Sequence, residues 1–197
     1  PEAISDLPPG CEILDWAYFP SNRFEKCGEF ISRGLPTTVC PSVRGFGRVF
    51  NAVEEARVVL AKYARTGKEL GARGLLNTDW GDYGHFNMPP CALHGLALGA
   101  QLAWNPANDE GAAFDRAFSK ILFGADDARP AELFSLAGSV PEAVAAWPFA
   151  PLKNVPPPAD PTPLRQIAAQ APEWADEFSK LAATEWADET EHAQVAL

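Results

Sequence analysis

The stretch "GLLNTDWGDYGHFN", residues 74–87, decides how this chain reads. It starts as a short apolar run of the kind that forms a buried strand and ends in a turn that gathers a tryptophan, a tyrosine, a histidine and two carboxylates. Upstream, "TTVCPS" at 37–42 and "CEILDWAY" at 11–18, the latter flanked by "PPG" and "FPSN", read as two more strands. Helical patterns fill the gaps. After the first strand, Ser21 or Asn22 can cap a helix whose Phe24, Cys27, Phe30 and Ile31 share a face, and Gly34 ends it before Pro36. Residues 51–74 give the clearest helix: Asn51 is the expected cap, Glu54 completes a capping box, and Val53, Ala56, Leu60 and Tyr63 form one stripe. "PPCALHGLALGAQLAW", residues 89–104, opens on prolines, whose missing N–H groups cost nothing at a helix start.

Strand, helix, strand, helix, strand, helix is an α/β order, and connections of this length imply a parallel sheet with right-handed crossovers. In such sheets the binding residues lie at the carboxyl ends of the strands. Asp15, Trp16 and Tyr18 end the first strand, Cys40, Ser42 and Arg44 the second, and Asp79, Trp80, Asp82 and His85 the third. All three polar and aromatic clusters therefore fall on one edge, which predicts a functional site there.

Beyond Trp104 the pattern becomes helical. Phe114, Phe118, Ile121 and Leu122 share one side of a helix, and "RPAELFSLAGSV" starts another. The proline-rich segment near 147–163 reads as a stiff extended connector. Trp174, Phe178, Leu181 and Trp186 then recur at helical spacing among acidic residues, a stripe that predicts docking by one face rather than a ligand box.

With 197 residues, 47% of them hydrophobic and 21% charged, the chain has the composition of a soluble globular protein. A net charge of −10 argues against nucleic acid, whose binding draws on basic groups. The apolar runs are too short and too interrupted for a membrane span, and no signal-peptide pattern appears, which favours the cytoplasm. The chain begins at Pro1, so a cleaved leader stays open. Cys11, Cys27, Cys40 and Cys91 show no metal-ligand spacing and read as reduced thiols packed as small hydrophobes. Nothing in the sequence calls for a cofactor or a resident metal: His85 and His94 match no ligand spacing, and no phosphate-binding or nucleophile-elbow motif occurs.

Trp80 with Asp79 and Asp82 suits a sugar, because an aromatic face covers the C–H patch of a pyranose while carboxylates accept from its hydroxyls. On spacing alone Trp80 reads equally well as a core residue and Asp82 as a turn residue. Residue alternation makes Asp79 the structural one of the pair. The two aspartates do not suit an acid/base pair, since carboxylates three apart in one turn seldom straddle a glycosidic bond.

The strings "TDWGDYGH", "EILDWAYFPSNRFEKCGEFISRGLPTTVCPS" and "PPCALHGLALGAQLAWNP" together resemble the last part of the catalytic barrel of glycoside hydrolase family 20, the β-N-acetylhexosaminidases. The resemblance covers about residues 8 to 125. It implies a (β/α)8 TIM barrel of which residues 1–105 are the last three βα units, followed by a helical C-terminal region over 106–197. It also implies substrate-assisted retaining hydrolysis of terminal N-acetylhexosamine, in which the substrate's own acetamido oxygen attacks the anomeric carbon. Trp80 and Asp82 match residues that hold the terminal sugar, Trp16 and Tyr18 match aromatic positions at preceding strand ends, Phe46 stands at a tryptophan position, and His85 matches the motif histidine.

The family's adjacent Asp-Glu pair ends an earlier strand, and no strand here ends in such a pair, so the chain is expected to supply sugar-binding residues but no catalytic ones. Three strands cannot close an eight-stranded barrel. The expected partners are an N-acetylhexosamine-containing glycan or glycoside and the remaining barrel strands, from the same enzyme or a second chain. Association between copies would also cover open sheet edges. The rival expectations are a noncatalytic carbohydrate-binding or pseudo-enzyme protein and an open α/β assembly domain.

Overall fold

The computed structural model describes residues 7–82, 87, 89–108, 111–140 and 160–183. Strands β1 (Ile13–Trp16), β2 (Thr37–Cys40) and β3 (Gly74–Leu75) form a parallel sheet in chain order. Ile13 pairs with Thr37, Asp15 with Val39, and Val39 in turn with Leu75. Helices α1 (Cys27–Ile31), α2 (Val53–Leu70), α3 (Leu93–Trp104), α4 (Gly111–Phe123), α5 (Arg129–Gly138) and α6 (Thr162–Ala182) complete the described elements, with 3-10 turns before α1 and α3. No helix among the described residues is long and apolar enough to cross a membrane.

The α/β order read from the sequence holds, with local corrections. The third strand shrinks to two residues, although a bridge between Ser42 and Thr78 continues the pairing beyond it. Asn51 does not cap α2: that place falls to Ala52, and Asn51 is buried, where its amide donates to the Val43 carbonyl at 3.0 Å. Asn22 does not cap α1 either. Its side-chain oxygen turns back to accept from Tyr18 N and Phe19 N, both at 2.8 Å, and so fixes the loop that leaves β1. α2 ends at Leu70, short of the expected 51–74 span, because Gly71 takes the left-handed C-cap with a φ of 87° that suits a residue without Cβ.

One face of the sheet carries the helices. Cys27 from α1 and Val59 and Tyr63 from α2 share a core with Val39, and Leu75 packs against it. Among the described residues the other face is largely open: Leu14 is 54% exposed, Trp16 67% and Leu76 47%. The flanks of "CEILDWAY" have the boundary pattern of a buried strand, and the structure corrects that reading: of β1 only Asp15 is buried. Alternation turns Leu14 and Trp16 outward and Asp15 inward, where Tyr63 Oη donates to its carboxylate at 2.7 Å.

A second core joins α2 and α3 to the following helices, bringing Val53, Leu60, Leu98 and Leu102 together with Phe114, Phe118, Phe123 and Phe134. Ile121, expected on the apolar side of α4, is exposed, and Phe123 is buried instead. Phe123 is drawn in because it meets both Phe118 of its own helix and Phe134 of α5. Phe178 of α6 stacks on Phe50 and meets Phe134, so α6 docks through this one residue of the stripe predicted for it. Trp186 and residues 147–159 of the connector lie outside the described residues, and Thr162 and Pro163 already belong to α6.

Candidate functional site

At the carboxyl edge of the sheet a hollow of about 390 Å³ is bordered by Trp16, Tyr18, Phe19, Phe46, Trp80 and Asp82. Five of the six residues expected at the site are thus brought together: Trp16 and Tyr18 from the end of β1, Phe46 from the loop after β2, and Trp80 and Asp82 from the turn after β3. His85 lies outside the described residues.

Tyr18 is the hub of the aromatic group. Its ring centroid lies 5.2 Å from Trp16, 5.9 Å from Phe46 and 6.0 Å from Trp80. Burial pushes its hydroxyl above the usual tyrosine range, although hydrogen bonding with Thr78 and Trp80 acts the other way. Rings in mutual contact of this kind offer a broad apolar surface on which a flat C–H patch can lie.

Trp80 is aimed rather than buried. It is 46% exposed, and its Nε1 donates to Thr78 Oγ1 at 3.1 Å. Thr78 is itself anchored on β2, because Thr78 N and Oγ1 both donate to the Pro41 carbonyl, at 3.0 and 2.8 Å, and Thr78 O accepts from Val43 N. The short third strand is therefore continued by threonine hydrogen bonds that carry the turn to the pocket. Asp79 and Asp82 divide as alternation suggests: Asp79 accepts from the buried Asn87 amide at 3.3 Å, while Asp82 is exposed on the rim.

The loop that presents Phe46 is held from behind. Arg48, buried, donates from Nη2 to the carbonyls of Gly138 and Val140 at 2.9 and 2.6 Å, which ties the loop to the end of α5. Gly138 permits this close approach, since a Cβ there would run into the Asn51 carbonyl oxygen. Gly45 is similarly confined, because a Cβ would collide with the side chains of Asn87, Asp79 and Asn51.

Sequence reasoning missed Phe19, and the role of Arg44. Phe19 follows Tyr18 directly, and its signal was Asn22: an asparagine closing a turn on the Tyr18 and Phe19 amides fixes both residues together. Away from the hollow, His94 is buried between Phe114 and Phe118, and its Nε2 lies 2.9 Å from Asp115 Oδ1. Among the described residues no group of three His, Cys, Asp or Glu side chains could hold a metal ion.

Among the described residues the edge offers one carboxylate and five aromatic side chains around an open hollow. That is a surface for holding a ligand by stacking and hydrogen bonding. Comparison with known protein families, with curated proteins and with solved structures finds no match.

Proposed function

We propose that this chain supplies the last three βα units of a (β/α)8 barrel, and a helical C-terminal region, to a β-N-acetylhexosaminidase-like glycoside hydrolase. The observation that carries the reading is the meeting of Trp16, Tyr18, Phe46, Trp80 and Asp82 around one hollow at the carboxyl edge of three parallel strands. Aromatic faces for sugar C–H groups and a rim carboxylate for hydroxyls are the two components that saccharide binding needs.

The winding supports the barrel. A doubly wound sheet reverses its strand order and carries helices on both faces. Here the strands follow chain order with helices on one face, as in a barrel whose interior is filled by side chains from all its strands. The exposed face of Leu14, Trp16 and Leu76 then corresponds to that interior. The resemblance of "TDWGDYGH" to the family 20 motif gives the sugar as a terminal N-acetylhexosamine.

Asp82 is the one carboxylate among the described lining residues, so the acid and the group that orients the acetamide come from the remaining strands. The same feature favours the second reading, a noncatalytic saccharide binder using the same contacts. Hydrolysis of a chromogenic N-acetylglucosaminide separates the two: the enzyme reading expects turnover by the full-length product and none by this chain alone. Binding without turnover by the full-length product supports the binder. Trp80→Ala should weaken N-acetylglucosamine binding about tenfold or more. Unchanged affinity would leave only a plain open α/β assembly domain.

A further inference from the structure

Arg44 shapes the hollow without lining it. The residue is 1% exposed, and its Nε and Nη2 donate to Glu55 Oε2 at 2.9 and 2.6 Å. Its guanidinium carbon lies 4.4 Å from the centroid of Phe19 and 4.7 Å from that of Phe46. The backbone adopts φ of 60°, a left-handed conformation that a residue with a side chain keeps only where its surroundings over-determine it. Those surroundings include Arg44 N donating to Ser42 Oγ at 3.1 Å and Ala52 N donating to the Arg44 carbonyl at 3.1 Å.

Only the guanidinium of this pair is buried while Glu55 is partly exposed, so the pair adds little stability alone, and a well-packed apolar residue would fill the place of Arg44 without losing hydration. What the guanidinium adds is direction. Its planar cation is attracted to the faces of two rings while its donors are tethered to the first turn of α2. Phe19 and Phe46 in turn meet edge to face, with centroids 6.0 Å apart. Both border the hollow, and neither brings a hydrogen-bonding side-chain atom to it.

We propose that Arg44 is a positioning residue of the saccharide subsite: braced by Glu55, it locks Phe19 and Phe46 into one apolar wall that selects sugars presenting an apolar substituent there over sugars presenting a hydroxyl. The inference rests on the saccharide reading above. A hydroxyl turned toward two phenyl rings loses its water without gaining a partner, whereas a methyl-bearing substituent gains contact.

The test is a titration of the full chain, followed by tryptophan fluorescence, with N-acetylglucosamine and with glucose, for the parent, Arg44→Met and Glu55→Gln. The parent should favour the N-acetylated sugar by about tenfold. Both variants should bring that ratio toward one by losing affinity for N-acetylglucosamine while holding glucose as before. A merely structural role would lower both affinities together and leave the ratio intact. A parent ratio of one, or an unchanged ratio in the folded variants, overturns the role of Arg44 and leaves the saccharide reading standing. A parent that binds neither sugar overturns the saccharide reading and the selectivity with it. Should Arg44→Met lose its native circular dichroism, Glu55→Gln, which alters only the partly exposed partner, decides the matter.

Discussion

Tyr63 reaches from α2 across the core to the end of β1, where its hydroxyl lies 2.7 Å from Asp15 Oδ2 and 2.8 Å from the Asp15 carbonyl oxygen. The contact joins a helix to the strand end that carries two of the pocket's aromatic rings. Burial and the neighbouring carboxylate push the Tyr63 hydroxyl far above the usual tyrosine range, so it remains a donor at any pH at which the protein is handled. Tyr63→Phe keeps the ring and leaves Asp15 buried without this donor. The variant should lose about 1–3 kcal/mol of stability, read as a lower urea midpoint with an unchanged slope.

Gly138 gives a purely steric prediction. An added Cβ would meet the Asn51 carbonyl oxygen and lie 3.1 Å from Val53 N, and neither backbone atom can swing aside. Gly138→Ala should cost about 1–3 kcal/mol or more. Gly111→Ala is the control. Its Cβ comes within 3.3 Å of Arg57 Nη1, a side-chain end rather than backbone, and alanine favours a helix, so thermal unfolding should change far less than for Gly138→Ala.

Asp115 links α4 to α2 and α3. Burial raises its carboxyl pKa, but hydrogen bonds from His94 and Arg57, the latter at 2.9 and 3.1 Å, outweigh burial and hold it below the ordinary value. A folded-state pKa below the unfolded one contributes stability that is present above the unfolded value and lost as pH falls through the folded value. The parent should therefore lose stability as pH drops below about 4. Asp115→Asn should be less stable near neutrality and flatter over that acid window, as measured by denaturation at a series of pH values.

The thiols should react unequally. Burial, helped by the negative charges of Asp15 and Glu12, pushes Cys40 up to about 11, and Cys27 is also raised by burial. Cys91 is buried as well, whereas Cys11 is half-buried. Because the thiolate is the reactive form, iodoacetamide near pH 8 should label Cys11 first in the native chain and all four cysteines in denaturant. Peptide mass mapping reads the order; early labelling of Cys40 would contradict its burial.

The sequence carried the element order well, because the signals that set it are local. Helix period in 53–70 and the apolar runs around Val39 and Leu75 each act within a few residues. What escaped depends on contacts distant in sequence. Asn51 reads as a cap, but Val43 offers it a carbonyl in the interior, and Asn22 spends its acceptor on the strand it follows. The burial of β1 was overread because an apolar run does not say whether one face or both are covered. At the site, the gathering of Trp16, Tyr18, Trp80 and Asp82 was legible from parallel-strand topology, whereas Phe46 was expected there only from the family resemblance. The bracing of Phe46 by Arg44 was not legible, since it depends on Glu55 in a helix that by its own period shows only a solvated acidic start.

The uncovered sheet face also governs how copies of the chain tolerate one another. Leu14, Trp16 and Leu76 expose greasy side chains on a body with a net charge of −10, and like-charge repulsion keeps neighbours apart. Dissolved ions shorten the reach of that repulsion to about 8 Å at physiological strength, while the attraction between those side chains is left intact. Ionic strength, rather than concentration alone, therefore sets the colloidal limit of this polypeptide.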